Sequence, residues 1–121
     1  MSKRVLVIED QEDNRKIIRD LLTASGFELI EAETGDEGVA AAVREKPDLI
    51  LMDIQLPGLD GYEATRQIKA KPELEKTPII AVTSYALSGD DKKAFAAGCD
   101  GYVTKPFSPR ELLQKIRKYL G

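Results

Sequence analysis

Five short apolar runs, each followed by a stretch with helical spacing, set the limits on what this chain folds into. The runs cover residues 5–8, 27–32, 49–52, 79–82 and 101–104. Leu49 to Met52 does not alternate with polar residues, so it reads as a strand buried on both faces. The β-branched and aliphatic runs at 5–8 and 79–82 read the same way. The run at 27–32 is weaker, with Leu29 and Ile30 as its apolar centre. Strict alternation of strand and helix specifies a parallel sheet with helices on both faces. The expected fold class is α/β, doubly wound, with five strand–helix units.

The helix signals agree. Ile17, Ile18, Leu21 and Leu22 recur at helical spacing, and Gly26 reads as the closing residue. Thr34-Gly35-Asp36-Glu37 is a capping box, opening a helix through Val39, Ala40 and Val43, with Pro47 beyond its end. Pro57, Gly58 and Gly61 read as breakers, and residues 62–70 as a helix with Pro72 just past it. Ser88-Gly89-Asp90-Asp91 reads as a helix start, and Gly98 as its close. Ser108-Pro109-Arg110-Glu111 pairs a capping box with proline at the first helical position. Leu112, Leu113, Ile116 and Leu120 then form an apolar stripe. No linker, low-complexity tract or internal repeat interrupts this pattern, so one domain over residues 1–121, without an output domain, is expected.

Composition narrows the function. With 121 residues, 42% of them hydrophobic, the chain suits one core. A net charge of −3 argues against nucleic acid as a direct partner. The single cysteine, Cys99, reads as a small buried hydrophobe in a reducing compartment. The absence of histidine excludes a His-type zinc site and a Ser–His or Cys–His catalytic pair. The apolar run after Met1 is too short for a signal peptide and is followed by Glu9 and Asp10; no stretch is long enough to span a bilayer. A soluble cytoplasmic protein is expected.

The reactive side chains share one topological position. Glu9 and Asp10 follow the first strand, Asp53 ends the third, Thr83 ends the fourth, and Lys105 follows the fifth. In a parallel sheet these ends lie on one edge, where ligands and chemistry collect. A strand order of 2-1-3-4-5 would put Glu9, Asp10 and Asp53 in one acidic cluster, costly without a cation. Hard oxygen ligands without His or Cys suit Mg²⁺. The expected metal set is Asp10, Asp53 and a backbone carbonyl near Gln55, with Glu9 direct or through water. Asp53 is expected to be a nucleophile that takes up a phosphoryl group. Lys105 would supply charge to the phosphoryl oxygens and Thr83 a hydroxyl.

These residues, in this order, resemble the receiver domain of two-component response regulators. The acidic pair Glu9-Asp10, the acceptor Asp53 within Met52-Asp53-Ile54-Gln55-Leu56-Pro57-Gly58, the hydroxyl of Thr83, the aromatic Tyr102 and Lys105-Pro106 all stand as in that family, from Lys3 to Leu120. The resemblance implies a flavodoxin-like fold with strand order 2-1-3-4-5, Mg²⁺ dependence and a cis Lys105-Pro106 peptide. It implies a phosphoryl group supplied by a phosphohistidine on a sensor histidine kinase or phosphotransfer protein. It also implies a switch: Thr83 moves toward the phosphoryl group, Tyr102 turns into the vacated space, and the last helix–strand–helix face binds a downstream protein or a second copy. Gln55 and Tyr85, two residues beyond acceptor and threonine, flank the path of a hydrolytic water in that family. A bulky Tyr85 predicts slow self-dephosphorylation, and small Ser84 an open approach for the donor.

Two other functions use similar parts. A Mg²⁺-dependent phosphohydrolase with an aspartate nucleophile needs a second Asp two residues on; that position is Gln55, which cannot donate a carboxyl proton. A nucleotide or flavin binder needs a glycine-rich phosphate loop, and neither G-x-x-x-x-G-K-[ST] nor G-x-G-x-x-G occurs.

Overall fold

Both faces of the central strands are buried, which decides the architecture. The structure is a computed structural model that describes residues 3–83 and 90–120. The strands are β1 (Arg4–Ile8), β2 (Glu28–Ala32), β3 (Leu49–Asp53), β4 (Ile79–Thr83) and β5 (Gly101–Thr104). They form one parallel sheet in the order β2-β1-β3-β4-β5. The helices are α1 (Glu12–Ala24), α2 (Gly35–Glu45), α3 (Gly61–Lys69), α4 (Asp90–Ala97) and α5 (Pro109–Leu120), with a 3₁₀ turn at Pro72–Leu74.

Alternate residues of each strand feed two core layers. Leu6, Ile8, Ile50, Met52, Ile79 and Ala81 face Ala41 and Ala42 of α2, Ala64 and Ile68 of α3, and Ala94 of α4. Val5, Val7, Leu49, Leu51 and Ile80 face Ile18 and Leu22 of α1 and Leu112 and Ile116 of α5. Truncating a fully buried leucine or isoleucine such as Leu6 to alanine costs about 2–5 kcal/mol. Among the described residues no helix is long and apolar enough to cross a membrane.

The caps lie close to their expected places, with informative exceptions. Thr34 accepts a hydrogen bond from the Glu37 N–H, while the Glu37 carboxylate reaches back to the Glu33 N–H. Ser108 caps α5 through the Glu111 N–H. Gly26 and Gly98 have φ of 88° and 116°, the left-handed turn out of a helix. α3 starts at Gly61 rather than Tyr62, because Asp60 accepts from the Glu63 N–H at 2.9 Å and caps the helix there. A methyl group on Gly61 would stand 2.4 Å from the Asp53 carbonyl oxygen, so glycine lets α3 start directly against the end of β3. Ile17, expected in the core stripe of α1, is 58% exposed; Arg15, Ile18 and Leu22 are that helix's buried residues. The expected helix start at Ser88-Gly89 lies outside the described residues.

Candidate metal and phosphoryl site

Strand pairing builds the site. Ile8 pairs with Met52, so the residues that follow them, Glu9 and Asp53, stand side by side. Asp53 pairs with Val82 and Thr83 with Thr104, which brings Thr83 and Lys105 to the same edge. Glu9, Asp53 and Thr83 are buried at 2%, 4% and 2% exposure, while Asp10, Gln55, Tyr102 and Lys105 are half-buried.

Glu9, Asp10 and Asp53 each offer a carboxylate oxygen, and these three atoms lie within 4.8 Å of one another. Lys105 Nζ donates to Glu9 Oε1 at 2.6 Å and stands 3.6 Å from Asp53 Oδ2. The Gln11 N–H donates to Glu9 Oε2 at 3.2 Å, and the Gln55 N–H to Asp53 Oδ1 at 3.0 Å. The Gln55 side-chain amide donates to the Thr83 hydroxyl at 2.9 Å. Lys105-Pro106 is cis, and the Lys105 N–H donates to the Thr83 carbonyl at 2.6 Å. The structure thus brings Glu9, Asp10, Asp53, Gln55, Thr83 and Lys105 into one constellation. Tyr102 lies on β5, half-buried against the core layer that holds Leu6 and Ile8. Ser84 and Tyr85 lie outside the described residues.

The electrostatics are those of a site short of positive charge. Burial raises the Glu9 carboxyl above its ordinary 4.5; Lys105 pulls it back down and Asp53 adds to the rise. Asp10 is also raised above its ordinary 3.8, first by burial and then by Glu9. Carboxylates gathered this closely, with one lysine among them, fit a divalent cation with oxygen preference such as Mg²⁺. Cys99 is buried beside the Thr65 hydroxyl at 3.7 Å, and burial pushes its thiol up to about 11, which makes it inert.

Arg15 is the residue that sequence reasoning passed over. Its Nη1 donates to the carbonyl oxygen of Glu9 at 2.8 Å from a buried position on α1. The signal was available: Arg15, Ile18 and Leu22 stand at i, i+3 and i+7, so an arginine occupies a core-facing place in the helix.

A doubly wound parallel sheet with an acidic cluster, a hydroxyl and a lysine on one rim defines a class of phosphoryl-accepting signalling domains. The family model for the response regulator receiver domain matches residues 5–117, and the chain belongs to that family. It is 45% identical over 121 residues to the polar-differentiation response regulator DivK of Brucella ovis and to that of Brucella abortus. Those matches cover 100% of this chain and 98% of each relative. Among solved structures, it resembles the receiver domain of the sensor histidine kinase PA1611 of Pseudomonas aeruginosa, crystallised with a magnesium ion in its active-site cleft. That likeness has a TM-score of 0.93 at 37% identity and covers 100% of this chain and 99% of the other. The chemotaxis protein CheY4 of Vibrio cholerae matches with a TM-score of 0.93 at 26% identity, over 98% of this chain and 99% of that one.

Proposed function

We propose that the chain is a response regulator acting as a stand-alone receiver, and that Asp53 accepts a phosphoryl group from a phosphohistidine. The observation that carries this reading is the nearly buried Asp53 carboxylate, within reach of Glu9, Asp10 and Lys105 on one sheet edge. A carboxylate oxygen of Asp53 forms the new P–O bond while the bond from phosphorus to the donor nitrogen breaks, and the electron pair leaves with the imidazole. Lys105, already between Glu9 and Asp53, supplies positive charge to the incoming oxygens. Glu9, Asp10 and Asp53, with the Gln55 backbone carbonyl, would hold Mg²⁺. When bound, the ion offsets the acids' repulsion and draws charge from the phosphoryl oxygens.

Thr83 and Tyr102 carry the consequence to the α4–β5–α5 face, which binds a downstream protein or a second copy of the chain. The donor, a sensor kinase or phosphotransfer protein, docks over an open groove of about 520 Å³ beside Lys105, lined by Asn14, Ile17, Ile18, Pro106 and Phe107. The exposure of Ile17 on that groove supports this placement. A donor of this kind places the chain in the cytoplasm. The hydrolase reading fails at Gln55, whose amide is turned to Thr83 and is far too weak an acid to protonate a leaving group.

Incubation with a small acyl phosphate and Mg²⁺ tests the proposal by intact-mass measurement. The wild-type chain is expected to gain one lasting phosphoryl group and Asp53→Asn none. Continuous turnover of the acyl phosphate without a lasting adduct would favour the hydrolase.

A further inference from the structure

Among the described residues Arg15 is the one buried cation, at 6% exposure. Burying a guanidinium is costly unless all sides of it are paired, and here they are. Nη1 donates to the Glu9 carbonyl at 2.8 Å, and Nη2 to Glu33 Oε1 at 3.1 Å and to the Glu12 carboxylate. Nε stands 3.4 Å from Glu31 Oε1. Glu12 and Glu31 are held in turn by Arg19, at 3.1 Å and 2.8 Å. Glu33 is tied to the start of α2, its N–H donating to Glu37. One fork-shaped cation therefore joins α1, β2 and the β2–α2 loop to a single backbone atom of the acidic turn.

We propose that Arg15 is a positioning residue: it fixes the Glu9–Asp10 peptide so that the Asp10 carboxylate stands ready for the metal beside Glu9. The inference rests on the reading that Glu9, Asp10 and Asp53 hold Mg²⁺. The Glu9 carbonyl and the Asp10 N–H belong to one rigid plane, so pinning the oxygen sets the direction in which Asp10 leaves the chain. The Glu9 side chain is fixed separately, by Lys105 and the Gln11 N–H. α1 has no side-chain cap hydrogen bond at Gln11; Arg15, reaching back from the first turns, ties the start of the helix to the Glu9 carbonyl instead. Lysine keeps the charge but has no planar fork with which to reach a carbonyl and carboxylates in several directions at once. Partners that orient metal ligands cost 10–100-fold in affinity, on the order of magnitude, when removed.

The test compares wild type with Arg15→Lys in the full chain, by calorimetric Mg²⁺ titration and by amide hydrogen exchange of residues 9–11 without metal. The expected result is Mg²⁺ affinity weakened about tenfold, with faster exchange at those amides. Because charge is retained, an effect of field alone would leave the affinity at the wild-type value. A wild type that binds Mg²⁺ with a variant within twofold of it overturns this inference alone, even if the variant melts at lower temperature. A wild type that binds no Mg²⁺ overturns the metal reading as well. Should Arg15→Lys not fold, Glu33→Ala removes one arm at an exposed position. Faster exchange at residues 9–11 in that variant supports the role, and unchanged exchange overturns it.

Discussion

Gln55 and Thr83, 28 positions apart in the chain, are joined by a hydrogen bond of 2.9 Å across the ends of neighbouring strands. A threonine hydroxyl that turns toward a phosphoryl group on Asp53 has to give this bond up. Its net worth is about 1 kcal/mol, roughly a fivefold change in population. Gln55→Ala is therefore expected to move the phosphorylated chain about fivefold toward the Thr83-inward state. NMR of Thr83 in the phosphorylated protein measures those populations, and equal populations in variant and wild type would refute the latch.

The acidic cluster gives stability a definite sign with pH. Glu9 and Asp10 bind protons more tightly folded than unfolded, since both are raised above their ordinary 4.5 and 3.8. The folded state then holds the extra proton, and stability falls as pH rises through the window above those values. Without metal, the melting temperature of wild type should decline relative to Glu9→Gln as pH climbs from about 4.5. Mg²⁺ at roughly 100 times its dissociation constant adds about 2.7 kcal/mol at neutral pH, and chelation removes it. Thermal unfolding with and without a chelator reads both effects.

Lys105 and Glu9 form a pair that is far from independent. Lys105→Met leaves the Glu9 carboxylate buried without its 2.6 Å partner. Breaking a buried pair from one side costs about 3 kcal/mol. The loss should shrink at acid pH, where Glu9 takes up a proton, and be largely restored by adding Glu9→Gln. A double-mutant cycle in urea reports the coupling; additive effects would mean that the contact is energetically idle.

Gly61→Ala tests how the fold delivers its nucleophile. The new methyl would meet the Asp53 carbonyl oxygen at 2.4 Å and the Ile54 Cα at 2.6 Å, both backbone atoms that cannot step aside cheaply. The expected result is a loss of about 1–3 kcal/mol together with slower phosphorylation by an acyl phosphate. Stability and rate are measured on the same preparation. A variant that loses stability while reacting at full rate would show that Asp53 is positioned independently of α3.

The order of elements was readable because the strands are buried on both faces and so write themselves as unbroken apolar runs. The site was readable because a parallel sheet gathers the ends of distant strands, so Asp53, Thr83 and Lys105 needed only their strand positions to be placed together. Helix phase was harder. Adjacent Ile17 and Ile18 leave two ways of turning α1, and the true one buries a guanidinium in place of an isoleucine because that cation has carboxylates and a carbonyl to receive it. The start of α3 was masked by its own chemistry: Gly61 looks like a breaker but is demanded by close approach to β3, and Asp60 caps it. Lys46 takes φ of 48° at the end of α2, a left-handed conformation for which no glycine or asparagine gave warning.

Thr83 is tethered on both flanks of its strand. The Ile54 N–H donates to the Val82 carbonyl at 3.0 Å, and the Lys105 N–H to the Thr83 carbonyl at 2.6 Å. Its main chain is thereby pinned separately from its hydroxyl, which the Gln55 amide holds at 2.9 Å. A signal launched there would begin as a rotor, a turn about one side-chain bond within a stationary frame, and would be handed on by emptying and filling volume rather than by one strand sliding past its neighbour.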